Sequence, residues 1–140
     1  MTASRTASCA CGQLSLTLSG DPAFVGICNC TQCQKRTGSV FGVSAYFNRG
    51  QVSAVAGEHK AYERSSDAGR SLEAHFCPEC GSSVFWYAEA FPDLIGTATG
   101  CFADPAFPAP GAVVWAAHKH EWVSFPNGIP QFDQQRPRPA

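Results

Sequence analysis

Apolar and polar positions alternate over short stretches of this chain and rarely hold a helical period. Leu14, Leu16 and Leu18 alternate with Ser15, Thr17 and Ser19, the pattern of a half-buried strand. Leu72, Ala74 and Phe76 repeat it against Glu73 and His75. Segments 23–27, 40–47, 51–56, 60–64, 83–87, 94–100 and 112–116 read as further strands, with Gly57 between the third and fourth of these. Gly20-Asp21-Pro22, Asn48-Arg49-Gly50 and a hairpin loop over 65–69 supply turn signals between them. Only residues 31–37 read as a helix, with Thr31 as its N-cap and Gly38 closing it. Residues 104–110 form a Pro-rich connection and 123–132 look extended. The chain reads as one mostly β domain over residues 9–132, with a flexible polar leader over 1–8 and a frayed tail over 133–140.

Composition agrees with short strands around a real core. Thirteen Gly and ten Pro break the 140 residues often, while 44% hydrophobic content and ten Phe give material to bury. Charged residues are 15%, below the roughly 25% of average domains, so much of the surface is neutral. A net charge of −1 argues against a broad phosphate-binding surface and hence against a nucleic-acid partner; Lys35-Arg36 reads first as solvated charge at a helix end. No apolar run approaches the roughly 18 residues that span a membrane, and the first residues lack the apolar core of a secretory signal. The expectation is a cytoplasmic protein without a membrane partner. Nothing in the residues places an oligomer interface.

The eight cysteines change this picture most. Cys9 and Cys11 form one close pair, Cys77 and Cys80 another, and Cys28, Cys30 and Cys33 put three thiols within six residues. In a reducing compartment such clusters are metal ligands or redox groups more often than disulfides. The two pairs make a complete four-thiolate zinc site that pins the first strand to a later hairpin. A redox role for Cys77 and Cys80 would need a strand-to-helix context, and they lie between strands. The triplet supplies three thiolates and leaves a fourth position for water, substrate or another side chain. Cys101, His75, His118 and His120 are the candidates for that fourth ligand. Cys101 reads first as a buried apolar residue and the histidines as surface or satisfied groups. Three thiolates weaken the Lewis acidity of zinc, so the open site suits an incoming thiol better than hydroxide generation.

The order Cys9-Ala10-Cys11-Gly12, Cys28-Asn29-Cys30-Thr31-Gln32-Cys33 and Cys77-Pro78-Glu79-Cys80-Gly81-Ser82 resembles the glutathione-dependent formaldehyde-activating enzyme family, which also contains centromere protein V. The likeness includes Gly38-Ser39, Phe76, Phe85 and Asp104-Pro105. It implies a β-tent zinc fold of small sheets with zinc knuckles. It implies two zinc ions, a structural one on Cys9, Cys11, Cys77 and Cys80 and a functional one on Cys28, Cys30 and Cys33. It also implies carbon–sulfur lyase chemistry, joining glutathione to formaldehyde or the reverse. Cys101 lies outside the ligand set of the family. On this reading a small thiol and an aldehyde are the substrates, and Lys35, Arg36 and Arg49 are candidate anchors for the anionic thiol. A reading from another class is a non-catalytic interaction module in which both zinc ions are structural; a fully ligated second zinc would favour it.

Overall fold

A computed structural model describes residues 3–65 and 69–136 of the chain. The strands are β1 (Ser4–Ser8), which the alternation did not announce, and the nine expected from it: β2 (Ser15–Ser19), β3 (Phe24–Cys28), β4 (Gly42–Asn48), β5 (Val52–Ala56), β6 (Lys60–Ser65), β7 (Ser71–Phe76), β8 (Ser83–Ala88), β9 (Leu94–Ala98) and β10 (Ala112–Val114). One α-helix, α1 (Thr31–Thr37), follows β3. The fold is mostly β, as the pattern predicted.

The strands form a three-stranded sheet, β1-β2-β5, and a seven-stranded sheet, β10-β3-β4-β9-β8-β7-β6. Leu16 and Leu18 of the small sheet meet Val25, Ala45, Phe47, Phe85 and Ile95 of the large one in a single buried cluster. Period-2 alternation decides which residues enter it, because successive side chains of a strand point to opposite faces. The other face of the large sheet carries a second row in register: Phe24, Tyr46, Gly96, Trp86, Ala74 and Tyr62 lie opposite one another from β3 to β6. α1 lies against this second face at β4, where a Cβ on Gly42 would sit 3.5 Å from the Cys33 Cβ.

Several expectations are corrected. Ser4–Ser8 is a paired strand rather than a flexible leader: Ala7 is fully buried opposite Leu16, and Arg5 bonds Asp21 at 2.7 Å. A polar sequence conceals this because only one face of β1 is buried. The N-cap of α1 is Cys30, not Thr31. Two strands stop early where the backbone tightens into 3-10 turns, at Thr99–Phe102 and, after Trp115 at φ 55°, at Ala116–His118, while the expected turn after β4 is the 3-10 turn Arg49–Gln51. Residues 123–132 are irregular, with one bridge from Gln131 to Val113. The tail is held as far as Gln134, whose carbonyl accepts from Trp115 N–H at 2.9 Å. Residues 66–68 of the expected hairpin loop and residues 137–140 of the expected frayed tail lie outside the described residues. No described helix is long and apolar enough to cross a membrane.

Candidate metal centres

The two close pairs converge. Cys9, Cys11, Cys77 and Cys80 place their four sulfurs within 4.8 Å of one another, although Cys11 and Cys77 are 66 positions apart. Cys9 and Cys11 sulfurs are 3.6 Å apart, and Cys11 and Cys77 are 3.7 Å apart. A tetrahedral zinc with Zn–S bonds of about 2.3 Å spaces its sulfurs by about 3.8 Å. A disulfide needs about 2.05 Å. The donor set therefore fits zinc, and all the cysteines are unpaired.

Two similar knuckles build this centre. Gly12 at φ 85° and Gly81 at φ 80° turn the chain left-handed and return their N–H groups to the carbonyls of Cys9 and Cys77. Other backbone donors then face sulfur: Leu14 N–H to Cys9 Sγ at 3.2 Å, and Glu79 N–H to Cys77 Sγ at 3.3 Å. Ser82 joins the knuckles, its Oγ accepting from Ala10 N–H and lying 3.3 Å from Cys80 Sγ. The Ser82 hydroxyl and N–H, with the Cys11 N–H, hold the Cys80 thiol down to about 5. Gln13 donates to Cys77 Sγ at 3.0 Å and also brackets Glu58, donating to its carbonyl and accepting from its N–H at 2.9 Å. Sequence reading missed Gln13, whose role depends on a strand connection far along the chain.

The triplet is built differently. Its ligands lie at the end of β3, in the following loop and on the first turn of α1. Cys28, Cys30 and Cys33 bring their sulfurs within 4.8 Å of one another, and among the described residues no His, Asp or Glu completes the group. Cys30 Sγ accepts from Cys33 N–H at 3.3 Å, so one atom caps the helix and belongs to the donor set. Parallel pairing of β10 with β3 puts Val114 beside Cys28. The Val114 carbonyl accepts from both the backbone and side-chain N–H groups of the fully buried Asn29, at 3.1 Å each. Gln34 donates to the carbonyls of Asn29 and His118. This frame orders the loop without spending a sulfur.

Charge at the triplet is uneven. The Cys33 thiol is pulled down to about 3 by hydrogen bonds from the Cys28 and Cys30 thiols, with the Arg36 and Arg64 guanidinium groups adding to the effect. Cys28 is raised, first by its hydrogen bonds with Cys30 and Cys33 and then by burial. One thiolate hydrogen-bonded by two thiols, under the positive charge of two guanidinium groups, is a ready acceptor for a divalent soft-ligand metal.

The remaining candidates are sorted by position. Arg36 lies beside the triplet, its guanidinium 4.5 Å from the Trp86 ring centroid. Lys35 is exposed in the last turn of α1. Arg49 stands beyond the far end of β4, roughly 20 Å from Gly42 at about 3.3 Å per residue. There it packs over Tyr87 at 4.4 Å, in a depression lined by Glu63, Glu73 and Glu89. The structure does not bring it to the triplet. Arg64, on the edge strand β6, acts on the Cys33 thiol through its positive charge, an influence the sequence did not mark because β6 is distant in the chain.

The candidate fourth ligands are occupied elsewhere. His75 is buried, stacked on Phe85 at 4.8 Å, and bonded to His59 and Glu73 at 2.9 and 2.7 Å; it does not lie on the polar side of its strand. His118 packs against Trp115, and His120 lies 3.3 Å from the Gln34 amide oxygen. Cys101 is half-buried against both apolar clusters, directed at the Ser83 carbonyl at 3.6 Å.

Comparisons with known proteins agree with this arrangement. The family model described as glutathione-dependent formaldehyde-activating enzyme matches residues 4–118. A protein of Fusarium vanettenii, provisionally named a glutathione-dependent formaldehyde-activating enzyme, is 30% identical over 77 residues, covering 55% of this chain and 40% of its own. A similarly named protein of Pyrenophora teres f. teres is 29% identical over 77 residues, with the same coverage. The matched segment thus spans about two fifths of the length of these curated relatives. A crystal structure of a Rhodobacter sphaeroides protein superposes with a TM-score of 0.55 at 16% identity, covering 90% of this chain and 98% of that one. That likeness concerns the fold.

Proposed function

The chain belongs to the glutathione-dependent formaldehyde-activating enzyme family, and from that membership we propose that it adds a small thiol to an aldehyde, or runs the reverse, at Cys28, Cys30 and Cys33. By the names of its relatives the thiol is glutathione and the aldehyde formaldehyde. The observation that carries the reading is a three-sulfur cluster that no described His, Asp or Glu completes. The β-tent description, the carbon–sulfur lyase class and a count of two zinc ions, one structural and one functional, belong to the same proposal.

Cys28, Cys30 and Cys33 would hold the functional zinc, which when bound lowers the pKa of a thiol beside it and so supplies a thiolate at neutral pH. The protein residues orient that thiol. Arg36 presents positive charge beside Cys33, where a carboxylate of a glutathione-like ligand finds a bidentate partner; Arg64 adds positive potential from β6, and Lys35 an exposed charge at the rim. Trp86 holds Arg36 in place by stacking and limits its motion. Asn29 and Gln34 keep the ligand loop rigid, so the incoming sulfur meets a fixed donor set rather than a floppy one.

The test mixes glutathione with 13C-formaldehyde and follows exchange between free aldehyde and S-(hydroxymethyl)glutathione by exchange NMR. The metal-loaded protein should raise the exchange rate in proportion to its concentration. A rate equal to the protein-free reaction overturns the proposal.

A further inference from the structure

We infer that Tyr46 donates its hydroxyl proton to the aldehyde-derived oxygen as the carbon–sulfur bond forms, a catalytic residue of the reaction proposed above and resting on that reading. Contacts run unbroken from the triplet to this hydroxyl. α1 sits so closely on β4 that a Cβ at Gly42 would lie 2.8 Å from Arg36 Nη2 and 3.5 Å from Cys33 Cβ. Arg36 reaches from there over the Trp86 ring. The Trp86 indole lies flat on Gly96, where a Cβ would fall 2.0 Å from Nε1. Its N–H donates to Tyr46 Oη at 3.2 Å.

That last bond fixes the role of the phenol. An indole N–H only donates, so Tyr46 is the acceptor there and its own proton points elsewhere. Among the described residues no acceptor for that proton is found at hydrogen-bond distance. Phe24 stacks on the ring at 4.8 Å and Phe91 packs against it at a tilt, 5.0 Å between centroids. Burial, with the Cys33 thiolate beyond it, disfavours the phenolate and keeps the group a donor. A half-buried, oriented, singly used hydroxyl within electrostatic reach of the Cys33 thiolate is what stabilising a developing alkoxide requires.

The step balances without a further reagent. The thiol loses its proton to solvent on binding, and its sulfur lone pair forms the carbon–sulfur bond. The carbonyl π pair moves to oxygen, which takes the Tyr46 proton, and the phenolate recovers one from water. The reverse reaction retraces the same transfers.

Tyr46→Phe keeps the aromatic packing and removes only the hydroxyl. In the exchange assay with glutathione and formaldehyde, kcat should fall about 100-fold while the KM for glutathione stays within about twofold. A second readout needs no turnover: calorimetry of S-(2-hydroxyethyl)glutathione against S-ethylglutathione. Native protein should prefer the hydroxyl-bearing analogue about fivefold, and Tyr46→Phe should lose the preference. If Tyr46→Phe does not fold, 3-fluorotyrosine placed at position 46 keeps the shape and changes the acidity. A kcat changed severalfold then supports the inference, and an unchanged kcat overturns it. Turnover by native protein that Tyr46→Phe leaves intact overturns this inference alone. No turnover by native protein overturns the proposed function and this inference with it.

Discussion

The two sulfur clusters of this molecule use the same ligand type and are built in opposite ways. The four-sulfur cluster joins chain segments 66 positions apart, one leading into β2 and one between β7 and β8. The three-sulfur cluster falls within six residues of a strand, a loop and the first turn of a helix. By loop entropy, a cross-link across the first interval removes roughly 4 kcal/mol of unfolded-state freedom, against roughly 2 kcal/mol across the second. The first cluster also has its donors wrapped by backbone N–H groups and its sulfur count complete. The second lies beside the Arg36 guanidinium, which reaches over Trp86. On the function proposed above, one closes the fold and the other meets a ligand.

The contrast breaks most sharply at Cys77, which is fully buried among the knuckles. Cys77→Ala should abolish the cooperative calorimetric transition of the whole domain. A structural zinc contributes roughly 10–16 kcal/mol at neutral pH, as much as or more than the roughly 5–15 kcal/mol of a typical domain. A cooperative transition near the native temperature would mean that this cluster does not staple the sheets.

A smaller effect sharpens the same point through Gly57. Its φ is 92°, and a Cβ there would stand 1.8 Å from the Gln13 carbonyl oxygen, against the residue that donates to Cys77. Gly57→Ala should cost at least roughly 2 kcal/mol, read as a lower denaturation midpoint, while metal at the triplet is retained. Loss of triplet metal instead would show that the two centres are coupled.

The smallest effect concerns pH. Arg36 helps hold the Cys33 thiol low, so its thiolate survives to acid pH and is lost as pH falls through the lowered value. Removing the cation raises that thiol, and protons then compete for the sulfur at higher pH. In Arg36→Ala, metal release from the triplet should therefore begin at higher pH than in native protein. Release from the four-sulfur cluster should not move. Unchanged release at the triplet would mean that the Cys28 and Cys30 thiols hold the Cys33 charge without help from Arg36.

Most of the β architecture was legible because alternation such as Leu14, Leu16 and Leu18 reports a one-sided burial directly. Both cysteine groups were legible as spacing. β1 was not, since Ala7 alone announces its buried face. The cap of α1 was misread because Cys30 is an uncommon capping residue whose sulfur is free to accept. The surroundings of the triplet were the least legible part. Tyr46, Gly96 and Trp86 become neighbours only through the order β4-β9-β8, and Arg64 only through β6 at the edge. Arg49 was misplaced for the same reason: a turn next to a strand end says nothing about which end the site occupies.

The division of labour between the clusters is tested most directly by Cys30→Ser, because serine is itself a good N-cap and leaves α1 started while removing one thiolate. Metal content per chain, the thermal transition and glutathione binding are measured on native and variant protein. The account predicts two zinc ions falling to one, a transition shifted by only a few degrees, and glutathione binding lost. Two zinc ions retained with glutathione binding intact, or collapse of the fold on this single change, would contradict it.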